Sequence, residues 1–245
     1  MRTLKTILIA TYIIIIILLL LCLLKCNGAG ERNRPPVKER FKADVVMCID
    51  CTGSMDGILS KIKSNALDFH SDLADKCLDY GKEITGMRIK VIAFRDFCDA
   101  QPFEISEFHN MPEQEDAFRS FVSRLRADGG GDGPERGHDA LGLAIQSEWN
   151  NEPDVHQVII LWTDNASHPL SAMSPGPKNL DNMKTLWDEK MSKRGKKMIL
   201  FAPEDPSWAA ITGSWDKVIR HDVDAGGGLT DMDYEDIIKA LSESI

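Results

Sequence analysis

The chain has 245 residues, 43% hydrophobic and 27% charged, which suits one globular domain of about 200 residues with an appendage and excludes a disordered, collagen-like or disulfide-stapled protein. The formal net charge is −9 and unevenly spread: residues 1–42 carry eight Lys and Arg against Glu31 and Glu39. Taking these from the chain's 29 basic and 38 acidic residues leaves 21 and 36 in residues 43–245, a balance of −15 that repels nucleic-acid phosphate and attracts cations and basic partners.

Residues 7–24 read ILIATYIIIIILLLLCLL, eighteen positions without a charge. At about 1.5 Å per residue such a helix matches a hydrocarbon core of about 30 Å, and it is apolar on every face. The expectation is a single-pass membrane anchor; the alternative is a secretory signal cleaved near Cys26-Asn27-Gly28, although a signal's apolar region usually spans only about 7–15 residues. Residues 1–27 therefore read as anchor or signal, 28–42 with Pro35-Pro36 as a basic linker, and 43–245 as the main domain. Orientation stays open. Basic residues after the span favour a cytoplasmic domain, whereas amino-terminal apolar segments with a short basic head commonly export the domain on their carboxyl side. Cys48, Cys51, Cys77 and Cys98 match no small disulfide framework and read as buried hydrophobes or free thiols.

Along the main domain, residues 43–49 form a short apolar run with the composition of a buried parallel strand. Leu59, Ile62, Ala66, Phe69, Leu73 and Cys77 then recur at helical spacing, which predicts one long helix. Strands are expected at 87–94 and, near a sheet edge, at 103–108. Helices are expected at 112–126 and 134–149, the latter with Pro134 in its first turn. A strand at 155–162, a helix at 179–193, strands at 197–201 and 217–219, and a terminal helix from about Asp231 complete the alternation. The expected fold class is α/β: a doubly wound, mostly parallel central sheet with helices on both faces, preceded by one transmembrane helix.

In such sheets ligands bind beyond the carboxyl ends of the strands, where strand order reverses. Asp50-Cys51-Thr52-Gly53-Ser54 leaves the first strand, offering one carboxylate and two hydroxyls from a tight turn. Hard divalent cations take oxygen ligands of this kind, while Thr52 or Ser54 could equally cap the following helix. Gly129-Gly130-Gly131-Asp132-Gly133-Pro134-Glu135 precedes a later helix, and Asp164 leaves another strand, so three carboxylates and two hydroxyls sit at strand ends and loops.

These stretches resemble the von Willebrand factor A family, whose metal-ion-dependent adhesion site combines a DxSxS-type loop, a later Thr after a glycine-rich loop, and an Asp after another strand. The resemblance spans about residues 43–245 and is closest to the alpha-kinase-associated branch, to which DCTGSM, FRDFCD and GGGDGPE look similar; the kinase domain itself is absent. It implies Asp50, Thr52, Ser54, Asp132 and Asp164 as metal-site residues, with Mg²⁺, or Mn²⁺ or Ca²⁺, as the ion. Asp132 stands where the family commonly has threonine; with Asp50 and Asp164 ionised, this third acid takes the charge at the ion from zero to −1, tightening metal binding but weakening capture of an acidic partner group. The function implied is a membrane-tethered domain making cation-dependent protein–protein contacts, adhesion or complex assembly, with a partner that donates an acidic residue to the metal. No catalysis is expected. The alternative is a metal-dependent phosphoryl-transfer or hydrolytic enzyme with Asp50 or Ser54 as nucleophile.

The six histidines show no zinc spacing and read as surface or capping residues. Ser167-His168 lacks the strained turn of a serine nucleophile. Trp162, Trp187, Trp208 and Trp215 read as core, and Met55 and Phe97 as flanking the site.

Overall fold

The computed structural model describes residues 34–65, 68–131, 133–191, 193, 195–226 and 233–245. The expected anchor at 7–24 lies outside them, and among the described residues no helix is long and apolar enough to cross a membrane. The chain divides into units 1–36 and 37–245, and every element below belongs to the second.

Strand β1, Glu39–Asp50, is central and starts four residues before the predicted run. Its side chains alternate between two cores: Phe41, Ala43, Val45, Met47 and Ile49 face one, Val46 and Cys48 the other. Because helices cover both faces, the strand reads as continuously apolar rather than alternating. Arg40 and Lys42, assigned to the linker from sequence, lie in this strand and pair with Glu83 at 2.7 Å and Glu152 at 2.6 Å.

The expected long helix is instead two, α1 at Asp56–Asn65 and α2 at Phe69–Asp79. Ser64 Oγ and Asn65 Nδ2 both donate to the Lys61 carbonyl, at 3.0 and 2.8 Å, so polar side chains take over a backbone acceptor where α1 ends. Strand β2, Lys82–Phe94, pairs in parallel with β1 along its whole length.

The predicted edge segment also divides. β3, Phe103–Ile105, and β4, His109–Met111, both run antiparallel to β2. Between them Ser106 exchanges two bonds of 2.9 Å with Val91, its Oγ accepting from Val91 N and its own N–H donating to Val91 O, and this interrupts the ladder.

Helices α3, Glu115–Arg124, and α4, Gly137–Ile145, are shorter than predicted. Strand β5, Val155–Trp162, matches its prediction; α5, Leu180–Lys190, β6, Lys196–Ala202, and β7, Val218–Asp222, lie within a few residues of theirs. Helix α6, Pro206–Thr212, was not anticipated. Asp205 caps it by accepting from Ser207 N at 2.8 Å, and Pro206 opens it. Helix α7, Tyr234–Ser244, ends the fold.

The sheet runs β3-β2-β1-β5-β6-β7, with β4 also on β2, and all pairings apart from those of β3 and β4 are parallel. Helices α1, α2, α3 and α7 cover one face; α4, α5 and α6 cover the other. The expected doubly wound α/β sheet is thereby observed. From β1 the chain moves outward to β2, then returns across it to β5 and onward to β7, so strand order reverses between β1 and β5.

Candidate metal-binding site

Asp50 ends β1, and Thr163 and Asp164 follow the last residue of its neighbour β5. Asp50 is fully buried and held from both sides. Thr52 N–H and Thr52 Oγ donate to its Oδ1 at 2.9 and 2.6 Å, and Thr163 Oγ donates to its Oδ2 at 2.6 Å. An aspartate bonding the amide two residues on is a turn-forming arrangement, which is how this short sequence folds back on itself. The capping alternative for Thr52 does not hold: Thr52 precedes the 3₁₀ turn Gly53–Met55 without any side-chain cap bond. Ser54 Oγ turns instead to Asp164 Oδ1, 3.0 Å away, and Asp164 is itself fully buried. Four of the five residues singled out from sequence, Asp50, Thr52, Ser54 and Asp164, thus converge at the β1/β5 reversal. Asp132 lies outside the described residues.

The glycine-rich loop closes over this turn. Gly129 O accepts from Gly53 N at 3.3 Å, and Asp128 N donates to Cys51 O at 3.0 Å. Gly129 and Gly130 hold φ values of +82° and +79°, where a side chain is strained. A Cβ on Gly130 would lie 3.1 Å from Thr52 Cβ and 3.2 Å from Glu135 Oε1, so the bare backbone is what lets the loop pack against both side chains.

Several side chains here were not assigned from sequence. Asp99 Oδ2 accepts from Asp96 N and Gly130 N at 3.0 and 3.1 Å, tying the β2 exit to the glycine loop. Arg95, almost fully buried, donates to Asp128 and Glu104 at 3.0 Å and to the Arg126 carbonyl at 2.8 Å, anchoring the base of that loop. His168 Nε2 meets Asp96 Oδ1 at 3.1 Å and its ring is edge-on to Phe97. Glu135 is only 3% exposed. Asp96, Asp99 and Glu135 all fall within FRDFCD and GGGDGPE, so the signal was present as motif without an assigned role.

The site is strongly electronegative. Burial pushes the Asp50 carboxyl up to about 6 against the opposing bonds from Thr163 and Thr52, and nearby Asp164 adds to the rise. Burial first, then the charges of Asp50, Asp96, Asp99 and Asp164, push Glu135 up to about 8. Among the described residues no Lys, Arg or His forms an ion pair with Asp50 or Glu135. Cations relieve such an arrangement.

Away from these oxygen-bearing side chains, Met55 is fully buried in the core and presents nothing to a partner, whereas Phe97 is 40% exposed. His138, expected as a surface or capping residue, is buried and its Nε2 bonds the Ser207 carbonyl at 3.1 Å. Ser167 Oγ accepts from His138 N at 2.7 Å, while the His168 ring bonds Asp96. Cys48 and Cys51 are buried free thiols, the latter pushed by burial up to about 12. All four tryptophans noted from sequence are buried.

The oxygen donors fit a hard cation. Two ligand oxygens at adjacent corners of an octahedron with bonds of about 2.0–2.1 Å stand roughly 2.9 Å apart; the Thr52–Asp50 and Ser54–Asp164 pairs are separated by 2.6 and 3.0 Å. Among the described residues no group of three or more His, Cys, Asp or Glu side chains is gathered tightly enough to hold a metal unaided, and half of these four donors are hydroxyls.

No family model matches the chain. Over 145 residues it is 30% identical to alpha-protein kinase vwkA of Dictyostelium discoideum, a match covering 56% of this chain and 22% of the kinase, so the chain spans about a fifth of that relative's length. The pilus adhesin SpaC of Lactobacillus rhamnosus GG is similar in structure with a TM-score of 0.52 at 14% identity, over 83% of this chain and 30% of the adhesin. A von Willebrand factor type A protein of Catenulispora acidiphila has a TM-score of 0.45 at 17% identity, over 83% of this chain and 43% of its own. At 14% identity the likeness to the adhesin is one of fold.

Proposed function

We propose that residues 43–245 form a von Willebrand factor A-type interaction module that engages a protein partner through Mg²⁺ or another divalent cation and is tethered to a membrane by its apolar amino-terminal segment. Thr52 and Ser54 supply hydroxyl oxygens, Asp50 and Asp164 supply carboxylates directly or through water, and Asp132 contributes from the glycine-rich loop. The bound cation would act as an electrophile toward an oxygen on the partner, with an acidic side chain the expected donor. No covalent step is needed for such a role.

The observation that carries the proposal is the meeting of Ser54 Oγ with Asp164 Oδ1 at 3.0 Å beside the Thr52–Asp50 pair, at the point in the sheet where this fold class binds ligands. The resemblance of DCTGS, GGGD and the Thr163-Asp164 pair to the adhesion-site motif supports it independently. Against a nucleophilic Asp50, both of its carboxylate oxygens accept short hydrogen bonds and the residue is fully buried.

Affinity purification of the full chain in magnesium, followed by elution with chelator, tests the proposal. A partner retained by magnesium, released by chelator and missing with Asp50→Asn is the expected result. Turnover of a phosphate ester by wild type that Asp50→Asn abolishes would replace the interaction module with an enzyme.

A further inference from the structure

We propose that the cavity between the glycine-rich loop and the end of α3 receives a second acidic side chain of the protein partner, held by Arg124 and Arg126. The partner then presents two spaced carboxylates, one for the cation and one for the arginines. This inference rests on the cation-dependent reading above and adds to it the chemistry of the partner.

The cavity has a volume of about 610 Å³, and Arg95, Asp99, Glu104, Arg124, Arg126 and Gly129 stand in its walls. Two of these wall residues hold the loop that closes over the Asp50 turn: Gly129 O accepts from Gly53 N at 3.3 Å, and Asp99 Oδ2 accepts from Gly130 N at 3.1 Å. The cavity therefore adjoins the cation site across a single loop, and one peptide segment lying over that loop can meet both.

Local folding explains why two arginines stand together here. Helix α3 ends at Arg124, and Leu125 leaves it with φ −57° and ψ 143°. Leu125 buries its side chain in the core, so the residues on either side of it, Arg124 and Arg126, both stay exposed. Arg126 is fixed from behind, its carbonyl accepting from Arg95 Nη2 at 2.8 Å. Its guanidinium makes no hydrogen bond or ion pair among the described residues, and Arg124 has only Ser120 Oγ at 3.1 Å and the Phe121 ring, whose centre lies 6.0 Å away.

The acids of the cavity are already committed within the fold. Glu104 and Asp128 both accept from Arg95 at 3.0 Å, and Asp99 turns to the amides of Asp96 and Gly130. The helix dipole favours a cation in the last turn, which accounts for Arg124 without a ligand; it does not account for Arg126, which lies beyond the helix. Residues 43–245 carry a balance of −15, so most of this surface repels an acidic partner, and two arginines without an acid beside a bound cation are where such a partner settles. The second contact also offsets the weaker capture of an acidic group expected from Asp132.

The probes are synthetic peptides, acetyl-Glu-spacer-Glu-amide with glycine spacers of increasing length, each paired with a counterpart carrying Gln in place of the second Glu. Their binding to the full chain in mild detergent and manganese is read by calorimetry. An exposed ion pair shifts an equilibrium by at most about fivefold, so both arginines are replaced together. On wild type at least one diacidic peptide should bind at least about threefold more tightly than its Gln counterpart, and this advantage should shrink as salt is raised. Arg124→Gln/Arg126→Gln should abolish the advantage while leaving manganese affinity, the melting temperature and binding of the Gln peptides unchanged. The control Arg119→Gln, an exposed residue of the same helix that pairs with Asp116, should change nothing. Arg124→Glu/Arg126→Glu should reverse the preference toward a peptide with Lys as its second charged residue. If every diacidic peptide binds wild type within about threefold of its Gln counterpart, or if the advantage survives in the double Gln variant, the arginine cavity is overturned and the cation reading stands. Wild type that binds no manganese at millimolar concentration, or that binds none of the acidic peptides in its presence, would overturn both.

Discussion

Ser54 Oγ and Asp164 Oδ1 lie 3.0 Å apart although 110 positions separate them in the chain. One sits on the turn leaving β1 and the other comes just after β5, so their contact reports the adjacency of those two strands. If both hold one cation, Ser54→Ala and Asp164→Asn should each weaken manganese binding at least about tenfold and combine less than additively, as residues sharing one partner do. A double-mutant cycle read by calorimetry checks this; strictly additive losses would show that the two act separately.

Thr163 should matter more than its neutral side chain suggests. It donates to a carboxylate oxygen of fully buried Asp50 at 2.6 Å. Thr163→Val keeps the shape but leaves that oxygen unsatisfied, which costs about 1–3 kcal/mol. Urea unfolding in chelator should show a lower midpoint with an unchanged slope.

Gly137 opens α4 against Trp208. A Cβ there would come within 2.4 Å of the indole ring. Gly137→Ala should destabilise the domain by about 1–3 kcal/mol through overpacking. An unchanged melting temperature would show that the indole can move aside.

His138 gives a pH dependence whose sign is set by burial. Desolvation holds the folded imidazole below its ordinary value of 6.5. As pH falls through 6.5, the unfolded chain takes up a proton that the folded state resists, so the stability this neutral histidine contributes is complete above that pH and declines below it. In chelator, the melting temperature of wild type relative to His138→Gln should fall between about pH 7.5 and 5.5. A difference that stays constant over this range would mean His138 ionises alike in both states.

Much of the architecture was legible from residue order. The apolar run 43–49 and the strand at 155–162 could be read because burial on both faces leaves no polar alternation to confuse with a surface strand. The two-helix split of 56–79 was not legible, because Ile62, Phe69, Leu73 and Cys77 keep helical spacing across the break while Ser64 and Asn65 turn back onto Lys61. Helix α6 was missed for its brevity, although Asp205-Pro206 carried both a cap and a first-turn signal.

The sequence by itself determined the local chemistry: an aspartate with two hydroxyl residues after one strand, another aspartate after a second, and glycines where the backbone must take positive φ. Those features are decided by neighbours a few residues apart. Only the tertiary structure decided that β1 and β5 are adjacent, that Thr163 shares Asp50 with Thr52, and that buried Glu135 comes up against Gly130 of the glycine-rich loop. The first two relations depend on pairing between segments separated by more than a hundred residues. Hydrophobic periodicity names the face each strand buries, but the choice of neighbour is made by how helices on both sides of the sheet fill the two cores.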